Sequence, residues 1–146
     1  NMCEISTQYD NRIKVLDYEI RNNLAGETFN FFKRLELEEG YDIYNFSMII
    51  GIDNANSFHK WVNYKELERF VRFVVVPRKG VEPDPNVKWY MKEPHIYLEG
   101  ETDIMEASST DVRKLYTVGD YDKLSKYLDT NIIEYIKLNE IVYNEI

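Results

Sequence analysis

The sequence predicts an α/β fold with an open parallel sheet, and three observations lead there. Residues 46–50 and 73–76 are short, unbroken apolar runs, the pattern of strands covered on both faces. Between them apolar residues recur at helical spacing, as Phe58, Trp61 and Val62, then Leu67, Phe70 and Val71. The interval is long enough for a helical crossover, so the stretch reads as a βαβ unit. Ligands of open parallel sheets bind where strands end and helices begin, which directs attention to Gly51-Ile52-Asp53 and Pro77-Arg78-Lys79-Gly80.

The remaining elements follow in chain order. Residues 1–10 resemble the tail of a helix. Residues 12–16 alternate as a strand does, and residues 17–20 extend it or turn out of it. Asn and Gly within residues 22–26 predict a loop. Thr28 is expected to cap a helix with Phe29, Phe32, Leu35 and Leu37 on its apolar stripe and Gly40 at its end, which closes a second crossover. After the central unit, Pro83, Pro85 and Pro94 interrupt the chain, and residues 81–92 read as an exposed loop able to close over a site. A strand is expected at 95–98 and a strand end at 103–105. A helix then opens at Ser108 and runs to about Tyr116, with Val112, Leu115 and Tyr116 inward and Gly119 as its stop. Short helices are expected at 120–128 and 130–138, the last capped by Thr130 or Asn131 and burying Ile132, Ile133 and Ile136.

Composition sets limits on function. The 146 residues predict one domain, 1–146, and 44% apolar with 14% aromatic residues is enough to fill a core, which argues against disorder. A net charge of −8 argues against a protein that grips nucleic acid by its phosphates, while leaving room for a local nucleotide-sized anion. Cys3 is the single cysteine, so neither an internal disulfide nor a cysteine zinc cage is expected. No run approaches the roughly 20 apolar residues of a membrane span, and residues 1–10 lack a signal pattern. The expected location is the cytoplasm, without nucleic-acid or membrane partners, and self-association is left open.

Chemistry is most concentrated at Ser108-Ser109-Thr110, with Arg113 one turn further on. Hydroxyls and free amides at a helix start, at the positive end of its dipole, make an anion site, and a guanidinium fork suits phosphate oxygens. Ser and Thr also cap ordinary helices. Gly51 allows either close backbone approach to a ligand or a simple turn. Asp53 either receives ribose hydroxyls or caps a helix beginning at Asn54. Trp61 either stacks on an aromatic ligand or belongs to the core. His59 and His95 lack neighbours at metal-ligand spacing, so no metal site or Ser/His triad is expected. Asp103 and Glu106 read as solvated.

In this order and at these gaps, Gly51-Ile-Asp53-Asn54, Phe58-His-Lys-Trp61, Val75-Val-Pro-Arg78-Lys-Gly80 and Met105 through Ser108-Ser-Thr-Asp-Val-Arg113 resemble motifs of the bacterial-type nicotinate (or nicotinamide) mononucleotide adenylyltransferases. Asp17-Tyr-Glu-Ile20, Thr28 and Asn131-Ile-Ile-Glu-Tyr-Ile136 extend the resemblance over nearly the whole chain. It implies a Rossmann-like open parallel sheet of the nucleotidyltransferase type, N-terminally incomplete, with small C-terminal helices. The activity implied is transfer of AMP from ATP to a pyridine mononucleotide with release of pyrophosphate, assisted by Mg²⁺. By the family's pattern Gly51 and Asp53 hold nucleotide ribose, while Ser108, Ser109, Thr110 and Arg113 hold ATP phosphates, with Arg113 the catalytic group. Trp61 would stack on the pyridine ring, Thr28 would lie near its carboxylate or amide, and Arg78 would sit at the mononucleotide end. Arg113 and Trp61 are accordingly expected to share a cleft.

Departures accompany the match. The family's G-G-x-F-D-P-x-H-x-G-H segment does not occur in these 146 residues, and Glu27 and Phe31 replace a tyrosine and a threonine of the family pattern. The chain is therefore expected to be the C-terminal part of a longer enzyme, inactive alone. The alternative is a non-catalytic relative that binds a nucleotide or a partner.

Overall fold

A computed structural model describes residues 1–99 and 108–139. In chain order the elements are helices α1 (Met2–Thr7), α2 (Tyr18–Arg21) and α3 (Thr28–Leu35), strand β1 (Ser47–Gly51), helices α4 (Ile52–Asn56) and α5 (Tyr64–Phe70), strands β2 (Arg72–Val76) and β3 (Ile96–Tyr97), and helices α6 (Ser109–Val118), α7 (Tyr121–Leu124) and α8 (Thr130–Leu138). They fall into two compact units, one of residues 1–17 and 105–146, the other of residues 18–104.

The larger unit is an α/β layer on an open, three-stranded parallel sheet of order β1-β2-β3, the Rossmann-like arrangement expected. Successive strand residues point to opposite faces. On one face Ile50, Phe73 and Val75 are buried together with Ile52, Ala55, Phe58, Leu67 and Tyr90. The other face corrects the expectation of two-sided burial, because Ile49 is 71% exposed and Val74, Val76 and Ile96 are only half-buried. The unbroken apolar run supplies side chains to a face that the described residues cover only in part.

The β1-to-β2 connection is a broken crossover rather than one helix. After α4 comes a short 3-10 turn, Phe58–Lys60, then extended backbone at Trp61 and a left-handed residue, Asn63, at φ 51° before α5. Asn tolerates that conformation better than most residues, and it re-aims the chain so that Leu67 and Val71 reach the core.

Several expectations upstream do not hold. Residues 12–16 pair with no strand among the described residues and are exposed, and α2 follows them, so α3 leads into β1 without completing a second crossover. The alternation there is too short and polar to bury one face. Thr28 is the first residue of α3, and Glu27 occupies the cap position with no side-chain bond to a helix amide, its carboxylate accepting from the Asn30 side chain instead. Phe32 and Leu35 are buried, but α3 ends at Leu35, so Leu37 is 85% exposed and Gly40 lies in the following turn at φ 86°.

The segment expected as a free loop over 81–92 is strapped to α4. The Asn56 side chain donates to the Glu82 carbonyl and accepts from the Asp84 amide, both at 3.1 Å, and Trp89 Nε1 donates to the Ala55 carbonyl at 3.1 Å. Tyr90 is fully buried. The aromatic residues outweigh the prolines here because burying their rings gains more than loop freedom does. At the start of β3, buried His95 accepts the Phe73 N–H at Nδ1, 3.2 Å away, completing the β2 edge where the strand pairing has not yet begun.

In the smaller unit α1 packs on α8, and Asn1 Nδ2 donates to the Tyr135 hydroxyl at 3.0 Å. Ile132, Ile133 and Ile136 are buried as expected, but Asp129, not Thr130 or Asn131, caps α8 by accepting from the Asn131 amide at 2.8 Å. Gly119 stops α6 at φ 75°. The strand end expected at 103–105, with Asp103 and Glu106, lies outside the described residues. Among the described residues no helix is long and apolar enough to cross a membrane.

Candidate functional site

The strand mouths of the larger unit hold the first group of residues. Gly51 ends β1 in extended backbone (φ −74°, ψ 158°), and a Cβ built there meets nothing within 4 Å. The turn reading is thereby set aside, and the backbone is open to a ligand's close approach. The next helix begins at Ile52 with Gly51 as cap, so Asp53 is not the cap of a helix starting at Asn54. Its carboxylate instead receives Arg78 Nη1 at 3.0 Å. Register explains the pair: Gly51 lies opposite Val76 in a parallel ladder, and the residues two further along each strand emerge side by side. Gly80, at φ 77°, turns the chain back so that the Val81 amide meets the Arg78 carbonyl at 3.1 Å. An exposed pair of this kind contributes only about 0–1 kcal/mol, so both groups are free to exchange each other for a ligand.

Trp61 is half-buried, its ring 5.3 Å from that of Phe58 and packed on the core's margin. Thr28 is half-buried at the start of α3. Among the described residues no hydrogen bond, ion pair or ring contact joins Thr28 or Trp61 to Asp53 or Arg78.

The second group lies in the smaller unit. Ser108 caps α6: its Oγ accepts from the Asp111 amide at 3.0 Å and donates to the Asp111 carboxylate at 2.6 Å. The Ser108 hydroxyl is thus an N-cap that also holds the Asp111 carboxylate at the helix start, where the dipole favours negative charge. The S-x-x-D spacing, with Asp111 three residues after Ser108, signals the cap in the sequence. Ser109 and Thr110 are exposed in the first turn, and Arg113 is exposed; none of the three side chains has a hydrogen-bond or ion-pair partner among the described residues, although the Arg113 carbonyl accepts from the Thr117 hydroxyl at 2.9 Å. Residues 108–113 belong to one unit, and Thr28, Gly51, Asp53, Trp61 and Arg78 to the other.

His59 is exposed. Burial holds the His95 imidazole below its usual value, with Glu68 pulling upward and Lys92 downward. Among the described residues there is no group of three or more His, Cys, Asp or Glu side chains that could hold a metal ion.

No family model matches the chain. Individual curated proteins do. A probable nicotinate-nucleotide adenylyltransferase of a Nitratiruptor species is 41% identical over 73 residues, 48% of this chain and 38% of that protein. One of Aquifex aeolicus is 29% identical over 104 residues, 71% of this chain and 60% of that protein. The chain therefore spans less than two thirds of the length of these two relatives. A third, of Flavobacterium johnsoniae, is 30% identical over 138 residues, covering 94% of this chain and 68% of that protein. An identity carried across nearly all of the α/β unit and the helices after it, on a parallel sheet of the expected kind, places the chain in the nicotinate-nucleotide adenylyltransferase family.

Proposed function

We propose that this chain supplies nucleotide-binding parts of an enzyme that transfers AMP from ATP to nicotinate (or nicotinamide) mononucleotide on the route to NAD. A phosphate oxygen of the mononucleotide attacks the α-phosphorus of ATP, the bond to the β-phosphate oxygen breaks, and pyrophosphate leaves. Chemistry of this type needs alignment and charge neutralisation rather than a covalent intermediate. Gly51 and Asp53 hold ribose; Ser108, Ser109, Thr110 and Arg113 hold the ATP phosphates, with Arg113 steadying charge on the reacting phosphate. Trp61 stacks on the pyridine ring, Thr28 lies near its carboxylate or amide, and Arg78 takes the mononucleotide end. Mg²⁺ enters with ATP. The setting is cytoplasmic.

The observation that supports this reading is Arg113. It stands one turn into α6, exposed, its guanidinium without a partner among the described residues, beside two equally unpartnered hydroxyls. Packing has no use for that arrangement, whereas a polyphosphate does. Calorimetric titration of ATP with Mg²⁺ tests it: the chain binds, and Arg113→Gln weakens binding about tenfold, the loss of one charge-assisted bond. Unchanged affinity would remove Arg113 from the site. In a coupled assay this 146-residue polypeptide, which contains no H-x-G-H, is expected to release no pyrophosphate. Release would show that its own residues suffice, and absence of all nucleotide binding would favour a partner-binding relative.

A further inference from the structure

Beside α5, away from Gly51, Asp53, Trp61 and Arg78, none of which lines it, the larger unit carries a cavity of about 460 Å³. That volume lies within the range of small-molecule sites, roughly 300–1,000 Å³. Its floor is aromatic and held in place. Trp89 stacks on Phe58 with centroids 4.2 Å apart and planes 24° apart, and its indole N–H is tied to the Ala55 carbonyl at 3.1 Å. Tyr64, edge-on to Phe58 at 6.0 Å, supplies another wall.

The rim has the opposite character to the chain as a whole. On a protein of net charge −8, Lys88 and Lys92 bracket the short 3-10 turn that carries Trp89, and both line this cavity. Its one acidic wall residue, Glu68, meets Lys92 only at 3.8 Å, and Lys88 has no ion-pair partner among the described residues. Two flexible ammonium groups above fixed rings match a flat ligand whose negative group projects from its edge. The ring meets the aromatic faces, and the charge meets Lys88, which has no ion-pair partner among the described residues, and Lys92, which is held only by the long pair with Glu68.

From this geometry we infer that the cavity formed by Phe58, Tyr64 and Trp89 beneath Lys88 and Lys92 is a second ligand site, for planar aromatic anions of the aryl-carboxylate class. It is independent of the ATP and mononucleotide positions proposed above. Occupancy has a route to them, because Phe58 touches both Trp89 and Trp61.

The chain has two tryptophans, so Trp61→Phe leaves Trp89 as the sole indole reporter. Titrated with benzoate, this variant is expected to show a saturable change in tryptophan emission. Benzamide, which keeps the ring and loses the charge, and cyclohexanecarboxylate, which keeps the charge and loses the ring, bind at least about tenfold more weakly. Adding Lys88→Gln and Lys92→Gln, both at exposed positions, weakens benzoate about tenfold, whereas Lys114→Gln on α6 does not. Circular dichroism confirms that the variants fold. A response that does not saturate, or one equal for benzoate and benzamide, overturns the proposal, as does a response indifferent to the paired lysine substitutions.

Discussion

Asp53 and Arg78 are 25 residues apart in sequence and 3.0 Å apart in space. Being exposed, the pair is worth little to stability, so Arg78→Gln should change the unfolding free energy by no more than about 1 kcal/mol. If chemical denaturation showed a larger loss, Arg78 would have to be a structural residue. Ser108 is the converse case, since its hydroxyl serves a cap whatever else it touches. Ser108→Ala should cost roughly 1 kcal/mol of stability, and a neutral result by the same measurement would show that the cap with Asp111 does not hold α6. His95 ties the stability of the fold to pH. Burial depresses the folded-state value below the ordinary one near 6.5, so the neutral ring is the native form, and its Nδ1 must stay unprotonated to accept from Phe73. Its contribution is complete above that ordinary value and is lost as pH falls from it toward the folded-state value. The melting temperature should therefore drop, as pH falls below the ordinary value of 6.5, more steeply than in His95→Gln. Parallel pH profiles for the two proteins would exclude this.

Elements carry their own lesson about burial. One face of β1 and β2 is wholly apolar, with Phe73 and Val75 fully buried, whereas the other sets Ile49, Val74 and Val76 beside Ser47 and Arg72 and leaves Ile49 71% exposed. A change on the covered side such as Phe58→Ala should cost about 3–5 kcal/mol. Ile49→Thr should stay within roughly 0.5 kcal/mol. Equal costs, read from denaturant midpoints, would mean that something covers Ile49 in solution. The strap over 81–92 behaves as part of the core despite its prolines, because Asn56, Trp89 and Tyr90 anchor it. Hydrogen exchange at the Asp84 and Met91 amides, which are bonded to Asn56 Oδ1 and the Lys88 carbonyl, should be slower than in a Trp89→Phe variant.

At the scale of the whole chain, the proposed ligand contacts divide between the two compact units, with the ATP-phosphate residues 108–113 in one and Thr28, Gly51, Asp53, Trp61 and Arg78 in the other. Trp61→Ala should weaken mononucleotide binding more than ATP binding, and Arg113→Gln should do the reverse. Equal loss of both ligands on Trp61→Ala would return the indole to a purely structural role at the edge of the core.

Periodicity along the chain was enough to find the parallel βαβ unit, α6 with its glycine stop and the buried isoleucines of α8, because each depends on residues a few positions apart. The order of short motifs was enough to indicate the family. Periodicity could not exclude a strand at 12–16, end α3 before Leu37 or separate a covered sheet face from a partly covered one, since those outcomes depend on what packs alongside. The tertiary structure alone decided that Asp53 meets Arg78, that His95 completes the edge of β2, and that Trp89 and the lysines beside it enclose a cavity. Such pairings arise from strand register and chain reversal over tens of residues, distances at which side-chain pattern carries no information about who becomes whose neighbour.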